Sequence, residues 1–482
     1  MSSGTSGTIN RLTGWVSSWH DIYKFLALIV ITIYATYYAP NPVKAAWYVI
    51  ILTAYYFSKN EALWLAVFLA TSDGFMSFFG LYTVTLTPLP GLPAIEISQL
   101  YIILTVIKAA GTRKSPKIFY NKYLQVLLVY LLFSIIWGQM MGLSGELNVY
   151  FRVLKGVLPM MLFYSIPRLF TDQDSYDRLF RIIFVIVLAA FAAQLITLLG
   201  GLSPLDIVGL DTGEAEEGSS DFRVFFSANC TLIGLFSALY YLNLGVVKYW
   251  QRLLFYSVVL ASLAMAVLSA TRGWIIGFSI ILILGFFLTG ITKAKRLAEF
   301  AVIVLPLIYF AVSNPTIRDQ LDFSRERLGK MESIAEGDLS AGGTLQRLDL
   351  RSNRVMEGWR QNPIFGWGLS DTGYMYGDGH VGNQSLLAMS GVVGFVLLNG
   401  FLVFFSIKLI NIYINSGRFK SRDKALLMFI IFLSGWFFIH STSGQQFNYV
   451  GMPAKIIPQA IFFSFGAFRY EQSIKRIYGK KV

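Results

Sequence analysis

Residues 344–395, TLQRLDLRSNRVMEGWRQNPIFGWGLSDTGYMYGDGHVGNQSLLAMSGVVGF, close a long polar segment and lead directly into an apolar one. Within this stretch Arg347, Arg351 and Arg354 recur at i, i+4 and i+7, which predicts that they share one face of a helix. The segment NPIFGWG (362–368) then predicts the end of that helix and a turn, because proline and glycine interrupt helices.

A histidine follows the three arginines, at His380 in GDGHVGNQ. Guanidinium groups bind phosphate through paired hydrogen bonds and keep their charge, and a histidine can take a proton near neutral pH. A cationic clamp beside a base at a membrane surface indicates chemistry on a lipid-linked phosphate substrate. The alternative for Arg351 and Arg354 is a solvated helix face on which they pair with Asp349 and Glu357.

The composition is that of a polytopic membrane protein. The chain is 55% hydrophobic and 14% charged, with a mean hydropathy of +0.57, whereas soluble proteins carry about a quarter charged residues. We predict one all-α transmembrane domain over residues 1–482, with about 12–14 transmembrane helices. The candidate spans are residues 24–39, 44–58, 61–79, 96–110, 122–141, 150–166, 180–200, 224–242, 252–270, 273–290, 296–313, 384–410, 424–443 and 454–470.

The distribution of Lys and Arg predicts the orientation of these spans. Four strongly basic segments fall on one side of the membrane, and the positive-inside rule assigns that side to the cytoplasm, together with both termini. They are residues 111–122, 293–296, 416–425 and the C-terminal tail. The opposite side receives the turn near 80–95, the acidic loop 201–223 and the long loop 314–383, in which we expect short helices.

The net charge of +13 is explained by these basic segments, which set the orientation of the spans in the membrane, so nucleic-acid binding is not predicted. The polar start of the chain shows no cleavage pattern, and we expect the first span to act as an uncleaved signal. Cys230 is the only cysteine, which excludes an intramolecular disulfide and a Cys-based metal cluster. No nucleotide-binding loop is present, so we expect no cofactor and a substrate that brings its own leaving group.

Arg272, in LSATRGWIIG (268–277), interrupts a long apolar stretch between two candidate spans. A charge at this depth is costly and tends to be functional, although an arginine at a tight turn can also extend to the interface. The positive-inside rule disfavours that second interpretation on the outer side. His440, near the outer end of a span, is a candidate to line one outward-facing cavity together with Arg272. The acidic loop 201–223 lacks metal-loop spacing, so no metal is predicted.

Several of these segments together resemble the O-antigen ligase and O-antigen polymerase superfamily. An outer-loop Arg347 precedes a Trp by a dozen residues, then come N-P-I-x-G-W-G, a His and an Asn, and a span that opens with S-G-V-V-G-F. The segment RVFFSANC (223–230) is similar to the Arg-to-Asn segment of that family, and SATRG (269–273) to its Ser-x-x-Arg-Gly segment. The resemblance runs from residue 223 to residue 395.

The resemblance implies a metal-independent glycosyltransferase of the bacterial inner membrane. Such a protein joins a glycan carried on undecaprenyl pyrophosphate to an acceptor at the periplasmic face, which makes 314–383 a periplasmic loop. Arg272 and Arg347 would hold the pyrophosphate, and His380 would activate the acceptor hydroxyl. Direct attack from the opposite face predicts inversion at the anomeric carbon. Supporting roles are expected for four further residues: Arg223, Arg351, Arg354 and Asn383.

One departure from the family pattern concerns the histidine and asparagine. Family members often place the two side by side, whereas Val381 and Gly382 separate His380 from Asn383 in this chain. The expected partners are the lipid-linked glycan donor, a glycan or lipid acceptor, membrane lipid, and a chain-length regulator or other polysaccharide-assembly proteins.

Four functions remain open from the sequence. The first is a repeat-unit polymerase of surface polysaccharide, and the second is a ligase that transfers the glycan to lipid A core. The third is a transporter or flippase for lipid-linked sugars, which should show internal repeats and broken helices near the middle of the membrane. The fourth is a structural subunit whose outer loop docks a partner.

Overall fold

The computed structural model describes residues 19–79, 85–86, 95–112, 118–146, 149, 153–154, 156–210, 224–244, 248–289, 294–329, 344–378, 380–416, 424–443 and 453–479. This part of the chain is almost entirely helical, which confirms the predicted all-α class. One short antiparallel pair joins strand β1, Thr85–Leu86, to strand β2, Ile95–Glu96.

The helices are numbered in chain order over the described residues. The first nine are α1 (Trp19–Tyr37), α2 (Asn41–Phe57), α3 (Glu61–Asp73), α4 (Ile97–Ala110), α5 (Asn121–Met140), α6 (Leu162–Leu169), α7 (Gln173–Gly200), α8 (Pro204–Ile207) and α9 (Ala228–Leu244). The others are α10 (Tyr249–Leu268), α11 (Arg272–Thr289), α12 (Ala294–Ser313), α13 (Pro315–Gly329), α14 (Thr344–Gln361), α15 (Asp371–Tyr376), α16 (Gly382–Ser416), α17 (Leu427–Ser443) and α18 (Pro453–Tyr478). Two 3-10 turns precede α6 and α17, at Leu158–Met161 and Lys424–Leu426.

Four of the described helices, α5, α7, α10 and α16, are long and apolar enough to cross a membrane. The helices α12 and α13 pass the same test together, but they are bent by 95° at their junction, and counting them as one span gives five. The chain thus has the helices of a multi-span membrane protein. The larger count of 12–14 stays a prediction, because several expected spans coincide with helices shorter than the roughly 20 residues that a perpendicular span needs.

Local sequence sets the bounds of the longest uninterrupted helix, α7. Its N-terminal cap is Asp172, whose carboxylate accepts the backbone N–H of Ser175 at 2.8 Å. Its C-terminal cap is Gly201, which adopts the left-handed conformation at φ +72°. The 28 residues between them are long enough to cross a bilayer with some tilt.

Small residues allow α11 and α17 to pack closely. A Cβ atom at Gly277 would overlap the side chain of Ile439, and one at Gly435 would overlap Ile281. Helix contacts through glycine are typical of membrane proteins, where close backbone approach replaces a hydrophobic driving force. Because positions early in α11 meet positions late in α17, the two helices run antiparallel.

Polar contacts place the turns between helices at two opposite ends of the bundle. At the first end, which we call the Asp21 end, Asn60 donates a hydrogen bond to Asp21 at 2.9 Å. Lys108 forms an ion pair with Glu61 at 2.5 Å there, and Arg178 lies 4.0 Å from Asp21. Residues distant in sequence, from α1, α3, α4 and α7, therefore share this end.

The second end lies at the other terminus of α3, and we call it the Asp73 end. The hydroxyl of Ser227 donates to the carbonyl of Gly74 at 2.7 Å, and the backbone N–H of Leu205 donates to the hydroxyl of Ser77 at 3.1 Å. These contacts bring the starts of α8 and α9 to the end of α3. The compartment that each end faces stays a prediction.

Candidate functional site

Arg272 begins α11 immediately after a tight turn that closes α10. Ala270 in this turn adopts a positive φ of 49°, which is uncommon for a residue other than glycine. The hydroxyl of Ser269 donates to the carbonyl of Ala266 at 2.8 Å, and the hydroxyl of Thr271 donates to the carbonyl of Ser269 at 3.2 Å. A tight turn therefore separates the two candidate spans, with a half-buried Arg272 at its end.

The polar helix α13 lies across the end of α10, next to the Arg272 turn. Gln320 donates from Nε2 to the carbonyl of Leu268 at 2.6 Å, and the hydroxyl of Ser324 donates to the carbonyl of Val267 at 2.7 Å. The last carbonyls of a helix have no partner within that helix, and these two side chains supply one. The first part of the long loop is thus fixed against the bundle.

The segment before α9 packs beside the Arg272 turn. The ring of Phe225 lies 5.1 Å from the ring of Trp274, in an edge-to-face arrangement. Asp73 holds the following residues, because its carboxylate accepts hydrogen bonds from Asn229 Nδ2 at 2.6 Å and from the backbone N–H of Cys230 at 2.7 Å. Two segments that resemble the same family therefore lie together at the Asp73 end. Arg223 itself lies outside the described residues.

Asp378 organises the loop that carries His380. Its carboxylate accepts a hydrogen bond from Arg354 Nη2 at 3.1 Å and lies 3.6 Å from Arg351 Nη1. It also accepts the backbone N–H of His380 at 2.9 Å. Asp378 thus joins the arginine face of α14 to the histidine loop.

These contacts bear on the alternative considered for Arg351 and Arg354. Arg351 and Arg354 do share a helix face, as predicted, but their acid is Asp378 rather than Asp349 or Glu357. The local pattern favoured acids within the same helix, whereas the partner comes from a loop that packs back onto α14.

The turn from Asp378 to α16 is closed by Ser385. The Ser385 hydroxyl accepts the backbone N–H of Asp378 at 2.8 Å and donates to the carbonyl of Asp378 at the same distance. The His380 side chain is exposed at the tip of this turn, and Asn383 is half-buried in the first turn of α16. Arg347 lies in α14, one turn before Arg351, and its side chain is outside the part of the chain that the structure describes.

The NPIFGWG segment (362–368) is inserted into a break in α16. Gly391 interrupts that helix with φ 60° and ψ −173°. The break frees backbone groups on both sides, and the segment pairs with them. Four hydrogen bonds result: Trp367 N to Ala388 O at 3.1 Å, Gly368 N to Met389 O at 2.7 Å, Val392 N to Pro363 O at 2.9 Å and Val393 N to Ile364 O at 3.1 Å.

The backbone conformation and close packing of this segment require glycine at two positions. Gly366 and Gly368 have φ values of +65° and +62°, which confirms the predicted turn. A Cβ atom at Gly366 would meet the Gly391 nitrogen at 2.5 Å, and one at Gly368 would meet the Ser134 carbonyl oxygen at 2.8 Å. A larger residue at either position would therefore separate the loop from α16 or α5.

His440 connects the histidine loop to the Arg272 turn. A Cβ atom at Gly382 would overlap the carbonyl oxygen of His440, so the start of α16 touches the end of α17. Because Gly277 of α11 meets Ile439 of the antiparallel α17, Arg272 lies about one helical turn beyond the level of His440, at the same end of the bundle. The Arg272 turn and the His380 loop therefore lie at the same end of the bundle as the buried His440.

Three polar residues at this end were not predicted from the sequence. Lys455 lies in the first turn of α18 and is half-buried. The other two are Asp73 and Asp378. Asp73 carried a usable signal, since a lone acid within an apolar run is unusual, whereas Lys455 and Asp378 carried none that distinguishes them from ordinary polar residues.

The cationic groups at this end include Arg272, Arg351, Arg354 and Lys455, and the acids include Asp73 and Asp378. Among the described residues, no three His, Cys, Asp or Glu side chains come together as a metal site would require. Fixed guanidinium and ammonium groups favour a phosphate-bearing ligand over a cation.

Comparison with known proteins found no match to this chain. No family model and no curated protein matches the chain. The resemblance described above therefore depends on the motifs quoted for it.

Proposed function

We propose that this chain is a glycosyltransferase of the bacterial inner membrane, which transfers a glycan from undecaprenyl pyrophosphate to an acceptor at the periplasmic face. Of the two acceptors considered, we favour another repeat unit, which makes the protein a repeat-unit polymerase. The observation that carries the proposal is that the Arg272 turn and the His380 loop lie at one end of the bundle, the end at which α17 carries His440.

The proposal includes an orientation, with about 12–14 helices in the membrane and both termini in the cytoplasm. The basic segment 111–122 follows Lys108 at the Asp21 end. The acidic segment 201–223 begins at the Asp73 end, where Leu205 contacts Ser77. The basic segment supports a cytoplasmic Asp21 end, and with it a periplasmic Asp73 end and a periplasmic loop 314–383.

The mechanism follows from the charge that develops in the reaction. Arg272 and Arg347 stabilise the negative charge that accumulates on the pyrophosphate as the glycosidic bond breaks. His380 accepts the proton of the acceptor hydroxyl, whose oxygen then attacks the anomeric carbon opposite the leaving group and inverts it. No pair of carboxylates is needed, because the pyrophosphate is already a good leaving group.

Complementation of a deletion strain tests the site. We expect His380→Ala, Arg272→Ala and Arg347→Ala each to abolish long-chain polysaccharide on gels while the protein remains in the membrane. The matched control is Arg360→Ala, which removes an exposed arginine of α14 at its far end and should leave the chains normal. Normal chain length in all three site variants would refute the proposal.

The same gels separate the polymerase from the ligase. Loss of a polymerase leaves single repeat units on the lipid A core. Loss of a ligase leaves bare core, and polymer accumulates on undecaprenyl pyrophosphate. The second pattern in the deletion strain would assign the ligase activity to this chain.

A transporter is the second candidate, because α16 is a broken helix. The break at Gly391 lies near the start of the 35-residue helix rather than at its middle. The backbone groups that the break releases from the helix form hydrogen bonds with residues 363–368, so they are not available to coordinate an ion. Flux of a lipid-linked sugar across proteoliposomes, without any joining of glycans, would favour the transporter.

A further inference from the structure

The segment Pro363–Phe365 exposes apolar side chains although it lies within the long loop expected to be aqueous. Ile364 is 60% exposed and Phe365 is 37% exposed. The backbone beneath them is fixed, because the carbonyls of Pro363 and Ile364 accept hydrogen bonds from Val392 and Val393 of α16. These side chains are therefore held outward by a paired backbone.

Phe365 is packed beside an exposed face of α5. Its ring lies 5.4 Å from the ring of Phe133 and 5.5 Å from that of Trp137. The indole N–H of Trp137 donates to the carbonyl of Gly366 at 2.9 Å, which fixes the segment to this helix.

The exposed side chains of Pro363–Phe365 continue two longer apolar faces. On α5 the exposed apolar residues are Val126, Val129, Leu132, Phe133, Ile136 and Met140. On α16 they are Val392, Val393, Val396, Val403, Ile407 and Ile414. Both helices are candidate membrane spans, so these faces are the ones that would contact lipid.

The position along α5 gives the depth of the segment. Phe133 lies seven residues before the end of the helix at Met140, which corresponds to about 10 Å at the rise of an α-helix. Phe365 contacts both Phe133 and Trp137, so it sits below the end of the span rather than above it.

We propose that Pro363–Phe365 inserts into the lipid leaflet at the Asp73 end and contacts acyl chains with Ile364 and Phe365. Lipid is the occupant that fits, because the segment adds no charge and is continuous with two lipid-facing stripes. A nearby Trp137 is also typical of the membrane interface. This inference places part of the long loop 314–383 in lipid, and it holds whether or not the chain is a glycosyltransferase.

Site-directed spin labelling tests the insertion in the full-length chain. The only cysteine is buried, and Cys230→Ser removes it. Nitroxide labels are then attached at Ile364→Cys and, in a separate protein, at Phe365→Cys, and each protein is reconstituted in phosphatidylethanolamine and phosphatidylglycerol nanodiscs. Collision with oxygen, which concentrates in lipid, is compared with collision with a water-soluble nickel chelate.

Two labelled controls define the scale. Val396→Cys, on the exposed stripe of α16, should collide mainly with oxygen, and Glu357→Cys, exposed on α14, mainly with nickel. We expect the labels at Ile364 and Phe365 to behave as the Val396 label does. If the Cys230→Ser background does not fold, the native chain serves as background, because its buried thiol should not be labelled.

Two results would overturn the proposal. Nickel collision equal to that at Glu357 would show that the segment lies in water. Low collision with both reagents at Ile364 and Phe365 would show that protein covers them, either a second copy of this chain or another partner.

Discussion

Asp378 is the residue through which the arginine face of α14 and the histidine loop depend on each other. It is largely shielded, with a side chain 12% exposed, whereas Arg351 and Arg354 are 41% and 52% exposed. Pairs with such exposed partners are typically worth about 0.2–1 kcal/mol. The contribution of Asp378 is therefore to position His380 more than to stabilise the fold.

We predict that Asp378→Asn reduces polysaccharide chain length with little loss of protein from the membrane. The substitution removes the charge that holds the two arginines but keeps a side-chain oxygen that can accept the His380 N–H. Chain length on gels and membrane content on blots measure the two effects. The control is Asp371→Asn, an exposed acid at the start of α15, which should leave chain length unchanged. Equal effects of the two substitutions would contradict a positioning role.

A second prediction at this scale concerns Asp73. In Asp73→Ala the Asn229 amide and the Cys230 N–H lose their shared acceptor, and a buried donor left without a partner costs about 1–3 kcal/mol. We expect a lower Tm in detergent, with Asp73→Asn intermediate because it retains one acceptor oxygen. An unchanged Tm in Asp73→Ala would show that other groups replace the carboxylate.

At the scale of elements, the defining feature is the pairing of residues 363–368 with the break in α16. Glycine at position 391 is required, because its φ of +60° is strained for other residues and a Cβ atom there would overlap the carbonyl of Ile364. Such backbone strain typically costs about 1–3 kcal/mol before the overlap is counted.

Gly391→Ala is therefore predicted to lower the Tm and to shorten or abolish polysaccharide chains, because the His380 loop is attached to the same helix. The matched control is Gly200→Ala at the end of α7, where a Cβ atom would meet nothing within 4 Å. Thermal unfolding monitored by fluorescence compares the two. A Tm for Gly391→Ala equal to that of Gly200→Ala would mean that the helix closes without a break.

Sequence patterns predicted local features at this scale and failed at contacts between distant segments. The turn at residues 362–368 followed from its proline and glycines, and the shared face of Arg351 and Arg354 followed from their spacing. The acceptors of that turn, Ala388 and Met389, could not be predicted, because an ordinary helix leaves no free carbonyl there. Asp378 was not predicted as the partner of the arginines either, because it lies outside their helix and the spacing of residues within a helix does not indicate which loop packs on it.

At the scale of the whole molecule, the two-ended arrangement predicts the accessibility of engineered cysteines. In a Cys230→Ser background, Glu357→Cys should react with an impermeant maleimide in cells whose outer membrane has been permeabilised. Lys59→Cys, at an exposed position of the Asp21 end, should react only after lysis. The reverse pattern would invert the proposed orientation, and reaction of both in intact cells would contradict the separation of the two ends.

The hydrogen bonds from Asn229 and Cys230 to Asp73 restrict how this chain can be shortened. All of the family-like motifs lie between residues 223 and 395, yet the carboxylate that fixes the start of α9 belongs to α3, more than 150 residues earlier. Trp137 of α5 supports the motif-bearing loop in the same way. A truncated protein that begins at residue 223 would retain every recognisable motif and lose both supports. The first 222 residues, which no motif marks, are therefore needed to support the part of the chain that carries the motifs.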